Sequence, residues 1–196
     1  MKIIIAVIIV IIILIVSESD HIIYHICENE SAGVPLPSAA RSIVKRLICI
    51  INEIDANLTL VDFGCSNGDF INYISQYHNK IIGIEINKKQ AAVTANRFAA
   101  NSNITIIATD MTNYIVADNH ILYMYEPMWL EPDKAIDVYA KVFSNCKAKY
   151  VIYITGVTKL APILFFELFG YKLMYESLIN RMIVFNNIVY LFAYVD

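Results

Sequence analysis

Short, mostly apolar segments alternate with amphipathic ones along most of this chain. From residue 57 onward we predict strands at 58–61, 80–85, 104–108, 121–125 and 150–155, with helices at 69–77, 88–100 and 132–144 between them. The strand segments do not alternate apolar with polar residues, which is typical of parallel strands buried on both faces. The pattern therefore predicts an α/β fold, a Rossmann-like, doubly wound and mostly parallel sheet.

Two further regions complete the expected domain. Ser38 can cap a helix running to about Glu53, in which Ile43, Leu47, Ile50 and Ile51 share one face. Segments 170–178 and 188–195 are rich in tyrosine and strand-like, and a polar Asn-Arg and Asn-Asn region separates them, so we predict an antiparallel hairpin. The sheet then has seven strands, within one domain spanning residues 38–196.

Composition excludes several classes of protein. The chain is 58% apolar and 17% charged, which excludes a disordered chain. Its net charge is −3 with no region of basic excess, so we expect no nucleic-acid partner. The four cysteines form no C-x-x-C pair, which fits a reducing compartment.

The N-terminus carries fourteen apolar residues, IIIAVIIVIIILIV at 3–16. As a helix this run is about 21 Å long, against a hydrocarbon core of about 30 Å that a snorkelling Lys2 helps to reach. Three interpretations compete: a short membrane anchor, which we favour, a signal peptide with Ser17-Glu18-Ser19 near its cleavage site, and a buried element. Residues 1–17 are thus a hydrophobic anchor or signal segment, and residues 18–37 are a linker.

The linker contains one arrangement that resembles a metal site. His21, His25 and Cys27 could place two imidazoles and a thiol on one helix face. No fourth ligand is evident, so we predict no metal and interpret the stretch as an amphipathic segment beside the membrane.

The segment from Val61 to Asp69 lies where the first predicted strand turns into a helix. Gly64 and Gly68 permit a tight turn and a close backbone approach to a ligand. The dinucleotide fingerprint requires glycine at its first, third and sixth positions, and only Gly64 matches, since Ser66 and Asp69 fill the others. A carboxylate at Asp69 would also repel a pyrophosphate, so a nicotinamide dinucleotide is disfavoured.

Asp62-Phe-Gly64-Cys-Ser66-Asn-Gly68 is close to acidic-x-Gly-x-Gly-x-Gly, with a serine at the middle glycine. In this the chain resembles the class I, seven-stranded S-adenosylmethionine-dependent methyltransferases, and the likeness extends from about residue 35 to 195. The resemblance implies S-adenosylmethionine as cofactor, bound by Asp62, Gly64, Cys65, Ser66 and Gly68. Because Ser66 replaces the middle glycine, the alternative is a scaffold that binds the cofactor without activity.

The same resemblance also assigns roles to residues at the ends of the second and third predicted strands. Glu85, beside Ile86, lies where family members hold the ribose hydroxyls, and Asp110 where they hold the adenine amino group, with Met111 as an apolar lid. Ligands of open parallel sheets bind at these carboxyl ends. Taken singly, Glu85 or Asp110 could instead be a helix cap or a solvated carboxylate, and Cys65 a small residue filling the turn.

Tyr125 ends the fourth predicted strand and precedes Glu126-Pro127-Met128-Trp129. This segment resembles the acidic-or-Asn, Pro, Pro, aromatic motif of enzymes that methylate amines, although Glu and Met128 depart from it. It implies that Tyr125, Glu126 and Trp129 face the acceptor, with Tyr125 also beside the cofactor. The alternative is that Pro127 ends the strand and Trp129 covers the sheet edge.

The order of apolar segment, proline-containing lead-in and Asp62 loop is similar to that of small membrane-anchored protein-lysine methyltransferases. It implies a protein lysine near a membrane as acceptor, with a small molecule or lipid as the alternative. Lys2 before the apolar run, and Glu18 and Asp20 after it, favour a domain across the membrane. The cytosolic origin of the cofactor and the basic residues at 41, 45 and 46 favour the opposite, so we expect the domain on the cytosolic or matrix side rather than secreted or lumenal.

Overall fold

The computed structural model describes residues 38–125, 132–156, 162–181 and 185–195. The predicted anchor, linker and His21, His25 and Cys27 lie outside these residues. The strands are β1 Thr59–Phe63, β2 Ile81–Glu85, β3 Ile104–Ala108, β4 His120–Tyr125, β5 Tyr150–Gly156, β6 Tyr171–Arg181 and β7 Phe185–Tyr194. The α-helices are α1 Ser38–Ile54, α2 Asp69–Ile74, α3 Lys88–Arg97, α4 Pro132–Ser144 and α5 Pro162–Glu167, and Met111–Asn113 forms a 3₁₀ turn.

All seven strands form one sheet in the order β3-β2-β1-β4-β5-β7-β6. The first five are parallel, whereas β7 runs antiparallel between β5 and β6. The predicted α/β fold with its C-terminal antiparallel hairpin is therefore confirmed. Chain order reverses between β1 and β4. At such a switch point the connections after the two strands lead in opposite directions, which leaves a crevice at the carboxyl ends of the strands.

Two apolar layers cover the sheet. On one face α1 packs Val44, Leu47, Ile48 and Ile51 against the strands, together with Ile71 of α2. The predicted apolar face of α1 was slightly misplaced, because Ile50 is 43% exposed while Val44 and Ile48 are buried. The opposite face is largely aromatic and is centred on these side chains: Phe143, Phe166, Tyr171, Tyr190 and Phe192.

The predicted boundaries differ from the structure mainly at the C-terminal end. The polar residues expected to separate the hairpin strands belong to them, since Asn180 pairs with Asn186 and Arg181 with Phe185. Backbone pairing satisfies these residues whatever their side-chain polarity. Helix α5 was not predicted, because six residues are too few to show helical periodicity. None of the helices in the described ranges is both long and apolar enough to cross a membrane.

Candidate active site

The loop after β1 is fixed to β2 by its backbone. The N–H groups of Gly64 and Cys65 both donate to the carbonyl of Ile84, at 2.9 and 3.1 Å. Three residues of the loop have positive φ: Gly64 at 79°, Ser66 at 46° and Gly68 at 76°. Glycine adopts this conformation without a steric penalty, and a side-chain-bearing residue does not. Ser66 thus keeps the backbone shape that the glycine of the family pattern would give.

Helix α3 packs against the same loop. A Cβ atom on Gly68 would lie 2.6 Å from Cε2 of Phe98 and 2.8 Å from Cγ2 of Thr94. The Thr94 hydroxyl also donates to the Ser66 carbonyl at 2.6 Å. The loop is therefore held from both sides, by β2 and by α3, and presents a preformed surface. No sequence motif pointed to Thr94, which lies 28 residues from Ser66 in the sequence and meets the loop only in the folded chain.

Glu85, at the end of β2, joins the loops that follow β1 and β2. Its Oε2 accepts the N–H of Ser66 at 3.0 Å, and its Oε1 accepts the N–H of Asn87 at 2.8 Å. A carboxylate has about four acceptor positions, so these bonds leave one on each oxygen. Two neighbouring hydroxyls, such as those of a ribose, match that remaining capacity. The acceptor oxygens of Glu85, the predicted ribose residue, therefore fit the cofactor.

Asp62 lies deeper, on β1, and is only 3% exposed. Burial, followed by the nearby Glu85 charge, raises the pKa of its carboxyl from 3.8 to about 8. Burial, with Asp62 and Glu85 behind it, also raises the pKa of the Cys65 thiol. Cys65 therefore stays a thiol that fills the turn and does not act as a nucleophile.

Asp69 begins α2, and its charge is balanced. It pairs with Arg97 at 2.7 Å and accepts a hydrogen bond from the Asn67 side chain at 3.0 Å. Arg97 also donates to the Asn67 carbonyl at 2.8 Å. This exposed network fixes the far end of the loop.

The predicted adenine residues follow neighbouring strands. Glu85 pairs with Ala108, so Ile86 and Asp110 leave the sheet side by side. Ile86 is 67% exposed, which leaves a large apolar side chain available to a flat ligand. Asp110 accepts the N–H of Thr112 at 2.8 Å and caps the 3₁₀ turn, as in the alternative interpretation, while Met111 is half-buried. The 3₁₀ turn thus places Asp110 and Met111 together at the carboxyl edge of the sheet. Their contact with adenine stays a prediction.

Tyr125 ends β4 and is half-buried at the carboxyl edge of the sheet. The other two predicted acceptor residues, Glu126 and Trp129, lie outside the described residues. A residue that the sequence analysis did not single out, Tyr123, pairs with Asp62 across the β1–β4 switch point. Tyr123 was missed in the sequence because it is indistinguishable from any other apolar strand residue.

The candidate site thus consists of an open, mostly parallel sheet, a tight loop after β1 and two acidic residues, Asp62 on β1 and Glu85 at the end of β2. Residues 60–149 match the family model described as "Methyltransferase domain". No curated protein matches the sequence.

Several solved structures share the fold. They include magnesium protoporphyrin IX methyltransferase from Synechocystis PCC 6803 with bound SAM (12% identity, 79% of both chains, TM-score 0.65). N-methyltransferase NodS from Bradyrhizobium japonicum WM9 with S-adenosyl-L-homocysteine has 11% identity over 80% of this chain and 88% of the other, with TM-score 0.63. A putative RNA methyltransferase from Pyrococcus horikoshii has 16% identity over 82% and 86%, with TM-score 0.61.

Residues 60–149 therefore match a methyltransferase domain, and the seven-stranded sheet has the fold of these methyltransferase structures. The loop after β1 and the acidic residues beside it fit an S-adenosylmethionine-dependent methyltransferase, and two of these structures hold S-adenosylmethionine or S-adenosyl-L-homocysteine.

Proposed function

We propose that this enzyme transfers the methyl group to an amine, and specifically to a lysine side chain of a protein near a membrane. The observation that carries the proposal is the position of Tyr125. The predicted cofactor residues occupy the ends of β1, β2 and β3, whereas Tyr125 lies at the end of β4, across the switch point. An acceptor entering from the β4 side meets the cofactor within the crevice.

The chain's own residues position the two reactants. S-adenosylmethionine, when bound, supplies a methyl group activated by its sulfonium. Glu85 would hold the ribose with the acceptor positions left over from Ser66 and Asn87. The loop from Gly64 to Gly68 is already fixed, so little ordering is required on binding. In-line transfer requires the lone pair of the nucleophile to point at the methyl carbon, opposite the sulfur. A preformed loop contributes to this alignment by holding the cofactor in one position.

Glu126 directly follows Tyr125 in the sequence and Trp129 lies four residues after it, and both belong to the proposed acceptor site. A carboxylate can accept hydrogen bonds from the amine, and an indole face stabilises a developing cation. An amine must be uncharged to attack, and a partly desolvated site lowers the pKa of a lysine ammonium. A carboxylate acceptor would be repelled by a carboxylate beside it.

Structural neighbours support the chemistry but do not choose the acceptor. NodS is described as an N-methyltransferase, which agrees with an amine. The Synechocystis enzyme acts on magnesium protoporphyrin IX, which keeps a small-molecule acceptor as the second candidate. The two candidates differ in where the transferred methyl group is recovered.

The test uses the full-length protein and S-adenosylmethionine radiolabelled in the methyl group, with a membrane fraction as acceptor pool. We expect label in protein, at lysine. Label only in solvent-extractable material would support the small-molecule candidate, and binding without transfer to any acceptor pool would support the inactive scaffold.

A matched pair of variants tests the role of Glu126. Glu126→Gln should lower kcat by about tenfold to a thousandfold and leave cofactor affinity nearly unchanged. Glu53→Gln, a substitution at the end of α1, is the control and should behave as wild type. Full activity of the Glu126→Gln variant would show that Glu126 is a strand-end carboxylate without a catalytic role.

A further inference from the structure

Ser66 occupies a turn position that disfavours a side chain. The N–H of Gly68 donates to the carbonyl of Cys65 at 2.8 Å, which closes a four-residue turn with Ser66 at its second position. The φ of Ser66 is 46°, and turns with positive φ at this position are dominated by glycine, asparagine and aspartate. A Cβ atom adds a steric penalty there that glycine does not have. Contacts from outside the turn are therefore needed to hold Ser66 in this conformation.

Both peptide groups that flank the Cα atom of Ser66 are held by neighbouring elements. On one side the Ser66 N–H donates to Oε2 of Glu85 at 3.0 Å, and on the other its carbonyl accepts the hydroxyl of Thr94 at 2.6 Å. A rotation about φ or ψ of Ser66 turns one of these groups away from its partner. The two hydrogen bonds together therefore fix a conformation that the backbone alone disfavours.

The side chain of Thr94 is arranged for this bond. Thr94 lies on α3 and is 1% exposed. The hydroxyl of a helical threonine can bond to a carbonyl of its own helix one turn earlier, but here it donates to Ser66, while the Gln90 side chain donates to its oxygen at 3.4 Å. The Cγ2 methyl lies against Gly68, 2.8 Å from the place that a Cβ atom there would take. The hydroxyl and the methyl group of Thr94 thus contact two different residues of the loop.

The conformation of Ser66 is linked to the predicted ribose residue by one hydrogen bond. If Ser66 left the left-handed region, Glu85 would lose one of the two N–H groups that orient its carboxylate. We propose that Thr94 is a positioning residue for cofactor binding: its hydroxyl holds Ser66 in the conformation that glycine adopts unaided, and Ser66 in turn orients Glu85 toward the ribose. The inference rests on the S-adenosylmethionine cofactor of the proposed function, and not on the amine acceptor.

Thr94 and Ser66 together thus replace the middle glycine of the family pattern. The departure at Ser66 is compensated within the fold, by a residue 28 positions away in the sequence. The serine is therefore compatible with cofactor binding, and it makes that binding depend on α3 as well as on β2.

Calorimetry with S-adenosylhomocysteine on the full-length protein tests the hydroxyl separately from the methyl group. Thr94→Val keeps the shape and loses the hydroxyl, whereas Thr94→Ser keeps the hydroxyl and loses the methyl group. Because apparent affinity falls with the populated fraction of the binding-competent loop, Thr94→Val should weaken binding about three- to tenfold. Thr94→Ser should stay within about twofold of wild type. Val93→Thr, the reverse change at a 63% exposed position of the same helix, is the control and should leave affinity unchanged.

Glycine at position 66 separates positioning from packing. In a Ser66→Gly background the turn no longer depends on the Thr94 bond, so adding Thr94→Val should change affinity by less than about twofold. An equal loss in both backgrounds would make Thr94 a packing residue and overturn the proposal. Wild-type affinity of the single Thr94→Val variant would overturn it too, and so would an equal loss in the Thr94→Ser variant.

The failure of this proposal is distinguishable from that of the proposed function. Absence of S-adenosylhomocysteine binding by the wild-type protein would overturn the cofactor and the role of Thr94 together. The acceptor plays no part in calorimetry with S-adenosylhomocysteine, so an acceptor other than an amine leaves every expected result for Thr94 unchanged.

Discussion

Glu85 on β2 accepts the backbone N–H of Ser66, which belongs to the loop after β1, at 3.0 Å. One carboxylate therefore does two things. It fixes the shape of the loop after β1, and its remaining acceptor positions are the ones predicted to bind the ribose. Because both functions use the same oxygens, the binding surface is preformed on the side where the ribose is expected.

Replacing Glu85 should weaken cofactor binding strongly. Glu85→Ala removes the acceptors of two charge-assisted bonds to the ribose and releases the N–H groups of Ser66 and Asn87. We expect S-adenosylmethionine affinity to fall by about 2–3 kcal/mol in calorimetry. Glu53→Ala, near the end of α1, is the control. Unchanged affinity after the Glu85→Ala substitution would remove this residue from the site.

Ser66 provides a test of backbone strain. Its φ of 46° is one that L-residues rarely adopt, so Ser66→Gly relieves a penalty of about 1 kcal/mol. Ser66→Ala is the matched control, because both variants lack the hydroxyl and only alanine keeps the Cβ. Chemical denaturation should show the glycine variant to be the more stable of the two, with cofactor binding retained. Equal stability would mean that the serine conformation carries no strain.

Asp62 should make the stability of the free protein depend on pH. Its folded pKa of about 8 lies above its ordinary value of 3.8, so the folded state binds more protons between these values. The resulting stabilisation is complete below pH 3.8 and is lost as pH rises toward about 8. Between about pH 6.5 and 9 we expect a loss of about 2 kcal/mol, measured by denaturation without cofactor.

The comparison for this prediction is Asp62→Asn, which cannot titrate and should show no such decline. Asp137→Asn, at an exposed position of α4, should decline like wild type. His78 and His120, whose pKa values are lowered by burial, change stability mainly below this interval, and they contribute equally to wild type and to the Asp62→Asn variant. A wild-type curve parallel to that of the Asp62→Asn variant would mean that Asp62 is ionised in the free protein.

The role of the apolar segment at 3–16 stays a prediction that a truncation can test. Helix α1 already covers one face of the sheet with Val44, Ile48 and Ile51. Deleting residues 1–20 should therefore give a soluble, folded domain that still binds S-adenosylmethionine. On cell fractionation, the truncated protein should be recovered in the supernatant, whereas the protein with residues 1–20 should be recovered with the membranes. Aggregation, or loss of the far-UV dichroism of the domain, would show that the segment completes the core.

How much of the fold and of the candidate site the sequence predicts depends on how far apart in the sequence the interacting residues lie. Strand 104–108 and helix 132–144 were predicted to the residue, because local apolar periodicity specifies both. The tight turn after β1 was also predicted, since Gly64 and Gly68 have the positive φ values that such a turn requires. Tyr123 was missed because its position beside Asp62 depends on β4 lying next to β1, which a sequence pattern does not show. The bond from Thr94 to Ser66 spans 28 residues and was out of reach for the same reason.

Gly83, in the middle of β2, has a consequence for the transfer of this site to other scaffolds. A Cβ atom there would lie 2.8 Å from Sγ of Cys65 and 2.7 Å from Cδ1 of Ile71. The hollow that receives the cofactor loop is therefore built into the neighbouring strand and not into the loop. A loop copied from residues 64–69 onto another sheet would not keep its shape unless the recipient also lacked a side chain at the position equivalent to 83. The unit that evolution or a designer can move is the loop together with the strand beneath it.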